Sequence, residues 1–130
     1  MNDNHNDSNP KIDVRVVTEY LSDQSRPEQS HYVFAYHITI SNLGDKDVQL
    51  ITRHWVIMDA NQQRQEVNGI GVIGEQPLIA SGDSYSYSSG VVLNTPVGTM
   101  HGSYQFLDPA GNAIEAPIPP FLLALPNKVH

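Results

Sequence analysis

The sequence contains one glycine-rich stretch with the spacing of a phosphate-binding motif. Residues 69–74 read Gly-Ile-Gly-Val-Ile-Gly, and in the dinucleotide fingerprint glycines at this spacing let the backbone approach a pyrophosphate at a helix N-terminus. The next residues, Glu75-Gln76-Pro77, do not begin an amphipathic helix, so the fingerprint lacks its structural context. Two interpretations stay open. Gly69, Gly71 and Gly74 either serve a loop that needs positive φ or a close approach to a sheet, or form a nest of backbone N–H groups that binds a phosphate.

A phosphate at this loop needs a cation to offset its charge. Arg64 is the nearby cation in the sequence, and Arg53 is the second candidate. Glu66 and Glu75 flank the loop and disfavour an anion there. The hypothesis of a phosphorylated small-molecule ligand therefore depends on the fold bringing Arg53 or Arg64 to the glycines.

Arg53, His54 and Trp55 are candidates for an interaction surface, because they lie together inside an apolar run. An arginine in such a strand is costly unless it is paired or lies at the rim. Both faces of the strand over residues 50–58 are partly apolar, so the pattern does not identify the inward face. Trp55 either lies in the core with Arg53 at its edge, or the three side chains form a patch for a partner or an anion.

The sequence offers no adequate set of residues for metal binding or for catalysis. The chain has no cysteine, which excludes thiolate sites, disulfides and a catalytic thiol. His31 and His37 are six strand positions apart, roughly 20 Å and too far for one ion, and residues 59–61 lack the remaining ligands of a calcium loop. The sequence has no G-x-S-x-G motif, and its aspartates fall mostly at turns, where they cap backbone N–H groups. We predict no metal, no cofactor and no catalytic residue.

Hydrophobic alternation with a period of two indicates strands at the start of the chain. It begins at Ile12 and is cleanest over residues 31–42, where one face carries Tyr32, Phe34, Tyr36, Ile38 and Ile40. Residues 48–59 form a β-branched and aromatic run of the kind found in strands. The short turn-forming segment 43–47 contains Gly44, and it predicts that these two long strands pair as a hairpin.

The rest of the chain continues as short extended segments. Further strands are predicted over 64–67, 83–93, 100–106 and 114–125, whereas 69–77 is predicted to be irregular. Residues 108–111 read Asp-Pro-Ala-Gly, which fits a type I turn. No apolar spacing of three and four persists over a dozen residues, so we predict at least six strands and no firm helix. The predicted fold class is all-β, an immunoglobulin or fibronectin type III-like sandwich of two antiparallel sheets.

Length and charge narrow the function classes. The chain has 130 residues, 7 basic and 14 acidic, for a formal charge of −7, which disfavours nucleic acid as a partner. We expect one domain over residues 11–126, with a disordered polar tail over 1–10 and a short tail over 127–130. Residues 1–10 lack the features of a secretory signal and no stretch is apolar enough to span a bilayer, so we expect a cytoplasmic protein. Unpaired sheet edges also make a homodimer a reasonable expectation.

Several motifs, in this order along the chain, together resemble the ApaG family. The resemblance covers residue 11 to about residue 126 and is carried by segments 53–59 (RHWVIMD), 69–77 (GIGVIGEQP), 87–90 (YSSG), 93–96 (LNTP), 98–104 (GTMHGSY) and 118–121 (IPPF). It implies a fibronectin type III-like sandwich in a bacterial protein whose name is tied to cobalt resistance and to cobalt and magnesium efflux.

The resemblance also suggests how such a protein acts. Related domains occur in eukaryotic proteins that look like interaction modules, and pyrophosphate or nucleotide binding has been suggested for the loop that here contains Gly69, Gly71 and Gly74. Because no segment can span a membrane, any link to efflux is expected to be indirect. We therefore predict a non-enzymatic protein-interaction module with an unidentified protein partner, and the alternative is a binder of a small phosphorylated ligand.

Overall fold

The computed structural model describes residues 11–126 and shows an all-β protein. Eight strands follow one another along the chain: β1 (Ile12–Tyr20), β2 (Tyr32–Asn42), β3 (Val48–Asp59), β4 (Arg64–Ile70), β5 (Leu78–Ile79), β6 (Ser84–Leu93), β7 (Val97–Leu107) and β8 (Ala113–Ala124). Two short 3-10 turns, Ser22–Gln24 and Pro27–Gln29, lie in the connection between β1 and β2. The prediction of at least six strands is confirmed. The tails expected at 1–10 and 127–130 lie outside the described residues.

The strands form two antiparallel sheets that pack as a sandwich. One sheet has the order β1-β2-β6, and the other has the order β4-β3-β7-β8. The short strand β5 pairs with the first residues of β3. The buried side chains of the two inner faces form one hydrophobic core, as expected when each sheet buries one face. The predicted fold class is therefore confirmed. Within residues 11–126, no helix is long and apolar enough to cross a membrane.

The central strand β2 follows its sequence pattern closely. Phe34, Tyr36, Ile38 and Ile40 are buried, whereas the intervening residues of that stretch are only partly buried. They face Trp55, Tyr104 and other core residues of the opposite sheet. Period-two alternation therefore identified the inward face of this strand correctly.

The predicted hairpin between β2 and β3 is wrong, because the two strands lie in different sheets. Asn42, at the end of β2, is buried and holds the crossing in place. Its Nδ2 donates to the carbonyl oxygens of Lys46 at 2.8 Å and Ile79 at 2.9 Å, and its Oδ1 accepts from the Gly44 N–H. Both strands bury an apolar face, so stacking them across the core covers both faces, whereas a hairpin would place them side by side.

Two hairpin turns have the same construction. In the predicted type I turn, the Gly111 N–H donates to the Asp108 carbonyl at 2.9 Å, and Gly111 has φ +86°. The β3–β4 turn repeats this arrangement with Gln62 at φ +64° and its N–H on the Asp59 carbonyl at 3.1 Å. In each turn the aspartate Oδ1 accepts two backbone N–H bonds, as predicted for these carboxylates.

Candidate functional site

The glycine motif lies partly in a strand, which corrects one sequence prediction. β4 extends to Ile70 instead of ending at Val67, so Gly69 is a strand residue paired with Arg53. Residues 71–77 then leave the sheet and return as β5 on the same edge of β3. We call residues 71–77 the glycine hairpin.

The tip of the glycine hairpin is a tight two-residue turn. Val72 and Glu75 exchange backbone hydrogen bonds of 2.8 and 2.9 Å, and between them Ile73 has φ +50° and Gly74 has φ +74°. Positive φ at both central residues is the signature of a type I′ turn. Asn-Gly is the preferred pair there, so a β-branched isoleucine in the first position is unusual.

Each glycine of the motif has a structural reason to be glycine. A Cβ on Gly69 would lie 2.5 Å from the Arg53 guanidinium carbon, so the missing side chain makes room for the arginine. Gly71 has φ +64°, and a Cβ there would collide with the Glu75 carbonyl. Gly74 supplies the second positive φ of the turn. These roles correspond to the first of the two predicted interpretations.

The base of the glycine hairpin is fixed to the sandwich. Val72 is fully buried in the core, and the Gly71 N–H donates to the Ile51 carbonyl at 2.7 Å. Arg53 Nη1 donates to the carbonyl oxygens of Ile70 at 3.2 Å and Gly71 at 2.7 Å. The hairpin is therefore held from below, while its tip is presented outward.

Arg53, His54 and Trp55 do not form one surface patch. Trp55 is 2% exposed and lies in the core, with its ring centroid 5.4 Å from that of Tyr36 and 5.8 Å from that of Phe121. Arg53 lies at the edge of this core beside the glycine hairpin. His54 is oriented differently: its Nε2 is 2.9 Å from Glu66 Oε2 in a shallow groove.

The backbone N–H groups of the glycine hairpin are largely occupied. Those of Gly71, Val72 and Glu75 all donate to backbone carbonyls, and Ile73 and Gly74 share the same sign of φ, whereas a nest needs consecutive residues of opposite hand. Arg64 lies at the far end of β4, paired with Met58, and its Nη2 is 3.5 Å from Glu66. The fold therefore brings Arg53 to the glycines but not Arg64.

Exposed apolar side chains accompany the hairpin. Ile73 is 57% exposed at its tip, and Ile70 and Leu78, at either side of its base, are 73% and 68% exposed. The sequence analysis did not single out these residues, because an isoleucine in an apolar-looking segment is ordinarily assigned to a core. Ile73 is distinguished from an ordinary core isoleucine only by its positive φ together with its exposure.

A cavity of about 230 Å³ lies beneath the glycine hairpin, at the edge between the two sheets. Its walls include Tyr36, Arg53, Trp55, Tyr87 and Ser89. Among residues 11–126, no acceptor lies within hydrogen-bond distance of the buried Trp55 Nε1. The sequence analysis missed this cavity, because its walls come from four strands and a hairpin that are distant in the chain.

Next to the cavity, two phenol groups share a hydrogen bond. Tyr87 Oη and Tyr104 Oη are 2.5 Å apart. Burial raises the pKa of both hydroxyls well above the ordinary value of 10.0, and the nearby Arg53 charge opposes this only weakly. Both hydroxyls therefore stay protonated and neutral near pH 7, available as hydrogen-bond donors.

A second, open groove of about 580 Å³ crosses the outer face of the larger sheet. Its floor carries Thr52, His54, Asn68, Ser103 and Gln105. The hydrogen bond from His54 and the charge of Arg64 lower the pKa of Glu66 below its usual value. Glu66 does not itself line the groove; its side chain is 50% exposed and lies beside His54.

Comparison with known proteins gives the family of this chain. Residues 22–108 match the ApaG domain. The chain belongs to the ApaG family. It is 55% identical over 120 residues to protein ApaG of Azoarcus sp. (strain BH72), covering 92% of this chain and 94% of that protein. Protein ApaG of Pseudomonas paraeruginosa (strain DSM 24068 / PA7) is 52% identical over 124 residues, with coverage of 95% and 98%.

The fold is also that of a solved relative. A crystal structure described as an ApaA protein from Bordetella pertussis superposes with a TM-score of 0.89 at 45% sequence identity, covering 92% of this chain and 98% of that one. The family resemblance found in the sequence is therefore confirmed, and with it the sandwich fold that it implied.

This ApaG domain also aligns a serine, a histidine and a carboxylate. Ser88 Oγ is 2.6 Å from His37 Nδ1, and His37 Nε2 is 3.3 Å from Glu19 Oε1. The sequence analysis found no such set, because only the register of β1, β2 and β6 brings these residues together. Glu19 and Ser88 are exposed and His37 is partly buried, and the three side chains share the solvent-facing side of the smaller sheet.

Metal-ligating side chains are dispersed in this ApaG domain. Within the described range 11–126, no three His, Asp or Glu residues come close enough to hold an ion. His54 and His101 lie on neighbouring strands β3 and β7, where they pair with Ser103 and Val56 respectively.

Proposed function

We propose that this ApaG protein is a non-enzymatic interaction module that docks a protein partner on the glycine hairpin, with Ile73 as the central contact. The observation that carries the proposal is the combination of positive φ and exposure at Ile73. Neither the conformational preference of isoleucine nor burial in the core accounts for this residue at this position.

The backbone strain at Ile73 has a measurable cost. An L-residue in the left-handed region is disfavoured by about 1–2 kcal/mol, and more when it is β-branched. Glycine or asparagine would avoid most of that cost. Strained residues of this kind concentrate at functional sites, so an apolar contact with a partner is the function that we assign to Ile73.

The rigid base of the hairpin supports the same role. Val72 in the core and the Arg53 hydrogen bonds fix the loop before binding. A preorganised loop loses little conformational entropy when a partner binds. Ile70 and Leu78 extend the apolar contact on either side of the tip.

Charge indicates the kind of partner. The chain carries a formal charge of −7, and Glu75 lies next to the hairpin tip in the sequence. Complementary potentials favour encounter and specificity. We therefore infer a partner protein with an apolar pocket for Ile73, surrounded by basic side chains.

Two observations support the non-enzymatic part of the proposal. The Ser88, His37 and Glu19 set lies on an exposed sheet face, outside both the cavity and the groove described above. The phenols beside the inner cavity stay neutral near pH 7 because of their raised pKa values, so they do not act as bases. On this proposal the protein acts in the cytoplasm, and its link to cobalt and magnesium passes through the partner.

A phosphorylated ligand at the glycine hairpin is the second candidate, and one observation favours it: the Arg53 guanidinium lies at the base of the hairpin. The occupied N–H groups weigh against it. Calorimetric titration of pyrophosphate and nucleotides into the wild-type protein and Gly71→Val distinguishes the two candidates. Identical traces without heat of binding would end the phosphate hypothesis.

The docking proposal is tested by Ile73→Asn. This substitution creates the Asn-Gly dipeptide that type I′ turns prefer, so we expect a more stable protein that binds its partner about tenfold or more weakly. The partner is isolated on the wild-type protein, purified, and its Kd measured by calorimetry. Val92→Asn, which removes an exposed apolar residue from β6, is the matched control and should leave the Kd unchanged. Equal Kd values for wild type and Ile73→Asn would contradict the proposal.

A further inference from the structure

The cavity beneath the glycine hairpin has polar walls made of hydrogen-bond donors. Arg53 uses only Nη1 for its hydrogen bonds within residues 11–126, which leaves the donors on Nε and Nη2. The Trp55 Nε1–H has no acceptor among the same residues. A buried donor without an acceptor costs about 1–3 kcal/mol, and each such group calls for a physical explanation.

The tyrosine pair adds a further donor. Tyr87 lines the cavity, whereas Tyr104 is fully buried behind it. The two hydroxyls share one hydrogen bond. When Tyr104 is the donor in it, the Tyr87 hydroxyl still has a proton to donate, and an acceptor in the cavity would take it. Ser89 contributes a hydroxyl at the same wall.

The charge of the walls selects the ligand. Arg53 is the one charged side chain among the described residues that line this cavity, so the site balances a single negative charge. A dianionic phosphate would need a second cation, because an uncompensated buried charge is costly. The remaining wall combines the aromatic rings of Tyr36, Trp55 and Tyr87 with apolar residues of β4 and the glycine hairpin, which suits an apolar or aromatic group.

We propose that this cavity is a binding site for a carboxylate attached to an apolar or aromatic group. The carboxylate takes the free donors of Arg53, and the hydroxyl of Tyr87, which lines the same cavity, is the second donor. Arg53 and Trp55 are two residues apart on β3 and both line the cavity, so their side chains lie on the same side of the strand, about 7 Å apart at the backbone, and the indole lies beside the bound group. A small free acid or the C-terminal carboxylate of a peptide would supply this chemistry.

Because Trp55 is the single tryptophan of the chain, it reports directly on the site. The experiment follows the indole N–H resonance in a ¹⁵N–¹H correlation spectrum of the full chain. One arm titrates benzoate against benzamide, its uncharged isostere, and the other titrates N-acetylphenylalanine against its amide. We expect a saturable shift of the indole resonance with the carboxylates and binding about tenfold or more weaker with the amides.

Variants locate the binding energy. Arg53→Gln should weaken carboxylate binding about tenfold or more, while Arg53→Lys keeps the charge and should retain part of the affinity. Arg64→Gln, which removes a cation from β4 outside the cavity, is the matched control and should bind as the wild type does.

The proposal is supported when either carboxylate binds saturably and its amide does not. Tighter binding of benzoate indicates a small free acid as the ligand, and tighter binding of N-acetylphenylalanine indicates a peptide C-terminus. Equal shifts from acid and amide, no saturable shift below roughly 10 mM, or a shift from inorganic phosphate alone would overturn it. The cavity proposal goes beyond the docking role of the hairpin. Ile70 and Ile73 line the cavity as well as the hairpin surface, but the two proposals fail separately, because carboxylate binding is measured on the Arg53 variants by the indole resonance and docking on Ile73→Asn by the Kd of the protein partner.

Discussion

At the scale of single residues, three non-glycine residues adopt positive φ, namely Ser30, Gln62 and Ile73. Ser30 ends a 3-10 turn, and Gln62 occupies the left-handed position of a hairpin turn. The sequence indicated the turn around Gln62 but not the positive φ of that residue. Glycine, which adopts positive φ readily, occupies the equivalent position of the other turn as Gly111. The conformational cost at such positions is decided by φ, which a residue name does not specify.

Gln62→Gly should raise the free energy of unfolding by about 0.5–1 kcal/mol. Relief of the left-handed conformation contributes about 1–2 kcal/mol, and the greater freedom of glycine in the unfolded chain offsets about 0.5–1 kcal/mol of it. Urea unfolding followed by circular dichroism measures the difference. The same change at Gln65, an exposed strand residue of β4, should lower stability, and a gain at both positions would contradict the explanation.

At the scale of elements, the crossing from β2 to β3 decides the topology. The sequence identified both strands but joined them incorrectly, because a short glycine-containing turn is also typical of hairpins. The sequence did contain one indication of the crossing, namely Asn42, a polar residue at the end of an apolar alternation. Its three hydrogen bonds to the crossing and to β5 replace the turn that a hairpin would have made.

Asn42→Leu should lower the free energy of unfolding by about 2–4 kcal/mol. The substitution keeps the branching of the side chain but leaves the backbone groups of Lys46, Ile79 and Gly44 without their partner, each at a cost of about 1–3 kcal/mol, reduced where water reaches the group. Denaturant unfolding of the purified variant measures the loss. Its neighbour Ser41, whose hydroxyl pairs with Ser84 on the exposed face, provides the control: Ser41→Ala should change stability by less than about 0.5 kcal/mol. Similar losses for both variants would show that Asn42 does not fix the crossing.

At the scale of the whole molecule, the mainly apolar core includes the buried Tyr36 and Tyr104, with Tyr87 packed against it. The alternation of β2 predicted that Tyr36 shares a face with the core residues Phe34 and Ile38. It did not predict that Tyr87 and Tyr104 meet across the sheets, since contacts between layers depend on how the sheets stack. For the same reason the cavity could not be found from the sequence, whereas a sandwich of two antiparallel sheets and the inward face of β2 could.

The phenol pair predicts how stability depends on alkaline pH. Burial raises the pKa of Tyr87 and Tyr104 above the unfolded value of 10.0, so above about pH 10 the unfolded chain releases protons that the folded chain keeps. Stability is therefore independent of these two groups at neutral pH and falls as the pH rises beyond 10, by up to about 1.4 kcal/mol per pH unit for each group.

Urea unfolding at several pH values between about 9 and 11.5 measures this slope. Tyr87→Phe should reduce it, because only one raised phenol remains, whatever the change in stability at neutral pH. A slope equal to that of the wild type would contradict the assignment.

At Ile73, selection for a more stable protein and selection for its cellular role favour different residues. Most natural chains sit only slightly above the stability that they need, so changes that add stability without harming the organism are readily accepted. A laboratory lineage of this gene selected for heat resistance alone, with no requirement for its cellular role, should replace Ile73 early by asparagine or glycine. A lineage in which the cellular role is also required should retain isoleucine at position 73.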